Sequence, residues 1–164
     1  MNAFDKGTKF PLEPALDFLQ HLWELNHAME RTSKWMEREL GVTAQQRLLI
    51  RCLGKYPGMT ASQLATLLHL DRGTVSTSLR RLELKGLISK RRDPRDNRRV
   101  ALGLTPKGRA MDHPAPATVE HAVERLLVQL GRSQVDSVKG VLRQLAADLS
   151  SALQVKPSAK RKLT

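Results

Sequence analysis

The chain has 164 residues, 40% of them hydrophobic, with one cysteine, five histidines and a formal charge of +12. That size suits one globular unit with its own core and excludes two independent enzyme-sized domains. The lone Cys52 excludes an internal disulfide framework, no run of about 18 apolar residues could span a bilayer, and the opening MNAFDKGTKF lacks a secretory signal's apolar core, which places the protein in the cytoplasm.

After a polar leader, Pro11 and Pro14 stand where a helix can begin. Leu12, Leu16, Leu19, Trp23, Met29 and Met36 then recur at near-helical spacing, and Gly41 closes the pattern. A helix that long in so short a chain needs a partner to cover its stripe. Thr43-Ala-Gln-Gln46 is a capping-box pattern, in which the Thr hydroxyl and the Gln side chain each satisfy a free backbone N–H. It opens a second helix that runs to about Leu53, and Pro57 and Gly58 end the segment. At 100° per residue, Leu48, Leu49, Ile50, Cys52 and Leu53 cover most of this helix, while Arg47 and Arg51 share one narrow stripe. The helix is therefore expected to be mostly buried, with its two guanidiniums facing solvent, a polyanion or a cavity.

Thr60-Ala-Ser-Gln63 is a second capping box, predicting a short helix with Leu64, Leu67 and Leu68 on its inner side. A turn at His69-Leu70 leads to Asp71, an N-cap candidate for a fourth helix whose inward residues are Val75, Leu79 and Leu82. Outside that stripe lie Arg72, Thr74, Ser76, Thr77, Arg80 and Arg81. Short hydroxyl side chains let a helix backbone approach a DNA groove, and flanking arginines reach guanine edges or phosphates, so this is the surface a recognition helix needs.

Gly86 is a C-cap candidate, and residues 87–91 and 100–104 read as two short strands. The joining run Arg92-Asp-Pro-Arg-Asp-Asn-Arg-Arg99 carries turn-forming pairs, which predicts a hairpin with a charged tip. Arg95, Arg98 and Arg99 at such a tip suit the narrow minor groove, whose negative potential attracts guanidinium groups. Thr105-Pro106 restarts a helix, His113-Pro-Ala-Pro116 interrupts it, and an apolar stripe from Val119 to Leu130 ends at Gly131. Ser133 is expected to cap a last helix that carries Val135, Val138, Val141, Leu142, Leu145, Leu149 and Leu153. The tail 154–164 is expected to be disordered.

Positive charge is confined to two places. Residues 71–109 hold 12 Lys/Arg against 4 Asp/Glu, and residues 155–164 hold 4 Lys/Arg with no acid, so these two segments carry the whole net charge. A localised basic segment that also bears a helix-turn-helix and hairpin pattern is the footprint of a nucleic-acid binder. Anionic lipid is a poorer fit, because the densest cluster lies in a loop and not on an amphipathic helix. The terminal helices carry more apolar stripe than a lone winged helix can cover, which predicts a homodimer. Its two recognition helices would stand about 34 Å apart on a pseudopalindromic site in double-stranded DNA.

Thr60-Ala-Ser-Gln-Leu-Ala65, the run from Asp71 through Leu82-Glu-Leu-Lys-Gly-Leu-Ile88, Asp93-Pro-Arg-Asp-Asn-Arg98 and Leu104-Thr-Pro-Lys-Gly-Arg109 together resemble the core of the MarR family of bacterial transcriptional regulators. The resemblance covers about residues 12–153 and is most specific over 60–109. It implies a mainly α fold with a small β-hairpin wing, namely a winged helix-turn-helix (43–104) plus a helical dimerisation lobe (12–42 and 105–153). It also implies a dimeric, mostly repressing protein that leaves its operator when a small anionic, often aromatic, compound binds. By motif position Asp96 and Arg98 match the wing pair, in which Arg enters the minor groove and Asp orients a nearby Arg. Where members often carry Arg in the recognition helix this chain has Thr77, so its base preference should differ.

In that family the ligand cleft lies between the helical and winged-helix parts. Trp23 and His27, four apart on one face of the first helix, and Arg47 and Arg51 are the candidates for it. An aromatic ring would stack on Trp23 while an arginine forks onto its carboxylate. The plainer alternative is that both arginines pair with Glu or phosphate, and that Trp23 and His27 are core and boundary residues. Two other readings stay open: a redox-sensing regulator acting through Cys52, set against that thiol's apolar neighbours, and an architectural DNA-binding protein without a ligand. No convergent acid, base or nucleophile set exists, so an enzyme is not expected, nor is a cofactor or metal.

Overall fold

The computed structural model describes residues 12–93 and 96–152, with the side chains of 93–99 outside that description. In chain order the described elements are α1 (Pro14–Leu40), α2 (Ala44–Lys55), α3 (Ala61–Leu68), α4 (Arg72–Leu84), β1 (Ile88–Asp93), β2 (Asp96–Leu104), α5 (Pro106–Met111), α6 (Val119–Gln129) and α7 (Arg132–Ala152). The expected mainly α fold with a two-stranded hairpin is what forms. The tail 154–164 lies outside the described residues.

Helix ends follow the local chemistry of the sequence. Gly41 closes α1 in the left-handed region at φ 74°, a conformation only glycine adopts without steric cost. Thr43 and Thr60 both form complete capping boxes, with Gln46 and Gln63 as reciprocal partners. At Thr105 the hydroxyl accepts from the Gly108 N–H and donates to Gly86 O, with Pro106 in the first turn. Ser133 does not cap α7. The helix starts one residue earlier, where the Gly131 N–H donates to Gln134 Oε1 at 2.9 Å and Gly131 O accepts from Val135. A side-chain amide three residues on satisfies the Gly131 N–H, the half of a capping box that faces the cap residue.

The core is one cluster drawn from α2, α3, α4 and the hairpin: Leu49, Ile50, Leu53, Leu64, Ala65, Val75, Leu79, Leu82, Leu87, Ile88 and Leu102, with Val42 beside them. The α4 stripe is as expected, but on α3 it is Leu64 and Ala65 that are buried, while Leu67 is 44% exposed. On α2, Leu48 is 45% exposed and Gln46 and Arg47 are buried instead. Apolar coverage of a helix shows that it can be buried, not which side packs.

The hairpin is longer than the expected pair of five-residue strands. Its antiparallel ladder runs from Ile88↔Leu104 through Arg92↔Val100 and, after an irregularity, to Asp93↔Asp96. Charged residues continue the ribbon beyond its buried base at Ile88 and Leu102, where side chains reach water; Arg91 and Arg92 are exposed. A third segment pins β2 from the other side, with Gly58 N–H donating to Leu102 O and Leu102 N–H to Met59 O.

The chain divides into two compact units between His121 and Ala122. The first holds α1 to α5 and the start of α6. In the second, α6 and α7 continue with every described residue exposed or half-buried, including Leu126, Leu127, Val138, Val141 and Leu142. Among the described residues no helix is long and apolar enough to cross a membrane.

Candidate nucleic-acid interface

The turn between α3 and α4 sets the presentation of α4. His69 sits in the left-handed region at φ 52°, and the Leu70 N–H bonds back to Ala65 O, which closes α3. Asp71 then caps α4, its carboxylate accepting from the Gly73 N–H at 2.8 Å, the Thr74 N–H at 3.0 Å and the Thr74 hydroxyl at 2.9 Å. The Gly73 and Thr74 amides, followed by the Thr74 hydroxyl, hold this carboxyl below its ordinary pKa. Inward, Val75, Leu79 and Leu82 are at most 2% exposed, and Ser78 shares its hydroxyl with Gln45 Oε1.

All six expected contact residues of α4 point to solvent: Arg72, Thr74, Ser76, Thr77, Arg80 and Arg81 are exposed. At 100° per residue, Arg72, Ser76 and Arg80 form one row and Thr74, Thr77 and Arg81 a second. Two hydroxyls and a guanidinium at each end of this surface give a shallow centre with reaching flanks. Only Thr74 is committed inside the protein, its proton given to Asp71.

On the wing, Arg95 lies outside the described residues. Asp96, Arg98 and Arg99 lie in β2, with side chains outside the description. Exposed Arg91 and Arg92 extend the basic surface along β1, two residues that the sequence did not single out because they fell at the edge of the expected loop. Other cations in this stretch are structural. Lys85 Nζ donates to Gly41 O at 2.7 Å and to Gln46 Oε1, tying the end of α4 to the end of α1, and Lys107 Nζ caps Lys85 O. Lys90 pairs with Glu83 at 2.6 Å.

The two α2 arginines part between the two readings, Arg47 taking the plainer one of pairing with a glutamate and Arg51 lining a cleft. Arg47 faces neither solvent nor a cavity: it is 2% exposed, and its guanidinium is taken up by Glu120, Met111 O and His113 O. A buried cation is stable only when paired and hydrogen-bonded, which these three partners supply. Arg51 is half-buried and donates to Asp112 O and Asp112 Oδ1. It also lines an open cleft of about 430 Å³ with Cys52, Lys55, Tyr56 and Asp112, where Lys55 Nζ stands 5.5 Å from the Tyr56 ring centre. A neighbouring cleft of about 390 Å³ lies between Leu53, Gly58, Arg91, Leu104 and Arg109. Neither cleft is lined by Trp23, His27 or Arg47. Trp23 is 56% exposed on α1, and the exposed His27 bonds through Nδ1 to Trp23 O at 2.7 Å. Burial pushes the Cys52 thiol up, against a smaller opposing pull from Lys55, which disfavours the reactive thiolate.

A sequence profile described as "MarR family" matches residues 42–100, the span from α2 to the hairpin. The organic hydroperoxide resistance transcriptional regulator of Bacillus subtilis is 31% identical over 121 residues, 72% of this chain and 79% of its own. An HTH-type transcriptional repressor of Mycobacterium tuberculosis is 30% identical over 66% of this chain and 78% of its own. Among solved structures, FabT of Streptococcus pneumoniae in complex with DNA superposes with a TM-score of 0.59 at 26% identity, covering 84% of this chain and 96% of FabT.

Proposed function

The chain belongs to the MarR family, a family of DNA-binding transcriptional regulators with a winged helix-turn-helix, and from that premise we propose that it is a homodimeric, sequence-specific repressor that reads a pseudopalindromic operator through α4 and is released by a small anionic aromatic ligand. The observation that carries this reading is the outer face of α4, where Ser76 and Thr77 stand between Arg72, Arg80 and Arg81 on a helix locked by Asp71 and four buried side chains. The hairpin follows as the wing, with Arg95, Arg98 and Arg99 reaching the minor groove and Asp96 orienting one of them. Competition tests this. A specific regulator prefers its operator over random duplex by about a thousandfold or more, whereas an architectural protein shows little preference.

Dimerisation through residues 12–42 and 105–153 is supported by the apolar surface these helices leave open. Leu16, Leu19 and Trp23 on α1, Val123 and Leu126 on α6, and Val138, Val141 and Leu149 on α7 are each between 42% and 62% exposed. Stripes of this length belong to interfaces in soluble proteins. Sedimentation of a stable monomer at micromolar concentration would refute the dimer.

For the ligand, the cleft beside Arg51 offers Lys55, the Tyr56 ring and Arg51, whose charge Asp112 of the same lining shares, so a small aromatic carboxylate would bind by competing with Asp112. Trp23 and His27 would join such a site only from outside the cleft, and Arg47 only by leaving Glu120. A thermal-shift series with aromatic carboxylates tests this, since a ligand of the folded state raises the melting temperature by mass action. The shift should disappear in Arg51→Ala. We place the protein in the cytoplasm, with the DNA it binds.

A further inference from the structure

The end of α5 is held by another helix. A helix leaves its last carbonyls without intrahelical donors, and that end favours positive charge. Here the three consecutive carbonyls of Met111, Asp112 and His113 are all taken by Arg47 and Arg51, one turn apart on α2. Each arginine also holds a carboxylate of the same segment, Arg47 that of Glu120 in the first turn of α6 and Arg51 that of Asp112 at 2.8 Å. The Asp112 carboxylate is seated against the bare backbone of Gly54, where a Cβ would lie 1.8 Å from Oδ2. The sequence pattern of α2 therefore brings two arginines and a glycine to one face for one segment.

The segment between, residues 112–118, is overdetermined. It holds Pro114 and Pro116, and Ala117 sits in the left-handed region at φ 58°. That conformation is costly for a non-glycine residue and persists only where the surroundings impose it. Thr118, 1% exposed, donates its hydroxyl to Ala115 O and accepts from the His121 N–H, starting α6. A connector meant only to be slack would not be gripped at both ends and strained in the middle.

We propose that the Arg47–Arg51 grip on residues 111–120 is a positioning latch that sets the half-site spacing the DNA-bound dimer accepts. This rests on the dimeric reading above: the connector is the chain that joins the unit bearing α4 to α6, one of the proposed interface helices. With the latch closed, the first turn of α6 is tied to α2, and on this proposal the two α4 helices of a dimer then meet DNA at one separation. With it open, the α4 surface is intact but the separation is no longer fixed.

The test uses the full-length protein and a duplex selected by the wild type from a random-sequence pool, with its half-sites then moved together or apart by one and two base pairs. The wild type should show a sharp optimum. Gly54→Ala, which expels the Asp112 carboxylate sterically, and Asp112→Asn, which weakens the pair while keeping the shape, should each flatten or move that optimum, losing about tenfold of the discrimination between neighbouring spacings. Their affinity for a single half-site should stay within about twofold of wild type. If Gly54→Ala does not fold, Asp112→Asn and Glu120→Gln carry the test. Folded variants that keep the wild-type optimum and its sharpness, or that weaken equally at every spacing, overturn the latch and leave the dimer standing. A wild type with no spacing preference overturns the dimeric reading and the latch with it.

Discussion

Removing Arg80 tests whether α4 lies on the duplex. Each subunit exposes three arginines on α4, Arg72, Arg80 and Arg81, hence six in a dimer. If all six neutralise phosphates, releasing about 0.9 counterions each, log K should fall against log salt with a slope of about −5, before any wing contribution. Between 50 and 200 mM salt that is a loss of about a thousandfold in affinity. Arg80→Ala removes one contact per subunit and should flatten the slope by about 1.8 if Arg80 holds phosphate, weakening operator and random duplex alike. If Arg80 instead reads a base edge, the slope is kept and the operator alone loses about 1–3 kcal/mol per half-site, roughly twice that for the dimer. Fluorescence anisotropy on both duplexes across a salt series separates the two. An Arg80→Ala protein with unchanged affinity and unchanged slope on both duplexes would refute the placement of α4 in the groove.

Arg47→Ala strands Glu120 and two main-chain carbonyls around a buried cation site and should cost about 3–5 kcal/mol, while Arg51→Ala, whose side chain is 34% exposed, should cost about 1 kcal/mol; urea midpoints that rank them the other way contradict the burial argument. Gly108→Ala would put a Cβ 1.9 Å from the Leu87 carbonyl, a backbone atom that cannot swing away, so a loss of about 1–3 kcal/mol or more is expected by the same assay. Asp71 carries a pH signature. Its folded pKa is lowered, so its contribution to stability is fully present above the unfolded value near 3.9 and is lost as pH falls through the lower folded value. Asp71→Asn still caps but has no proton to take up, so the advantage of wild type over this variant in urea midpoint should shrink from about pH 5 to about pH 3.

What the sequence made legible was local. Thr43, Thr60, Asp71 and Thr105 each announce a helix start because the capping partner lies within three residues, and the outer face of α4 follows once Val75, Leu79 and Leu82 fix its inner one. The α3 stripe failed at Leu67 because eight residues give only two turns, and either Ala65 or Leu67 can complete an inner side with Leu64. The roles of Gly54 and Gly108 were not legible from pattern at all. Both take φ values open to any residue, and the reason for glycine is an approach by a distant segment, Asp112 in one case and Leu87 in the other.

The α2 arginines show why a site is harder to read than a fold. Two guanidiniums on an otherwise apolar helix have to be neutralised somewhere, and the sequence supplies that requirement without the partner. Glu120 and Asp112 are 73 and 61 residues away, and the other three acceptors are main-chain carbonyls, which every residue carries and no pattern marks. The same charge pattern would serve a bound carboxylate or a helix end equally well. Burial separates them: at 2% exposure Arg47 is committed to the protein's own carbonyls, whereas Arg51, half-open beside Lys55 and Tyr56, keeps a side from which a ligand can reach it. One stripe of α2 thus holds two arginines in different settings, Arg47 enclosed by its partners and Arg51 paired with Asp112 but open on one side.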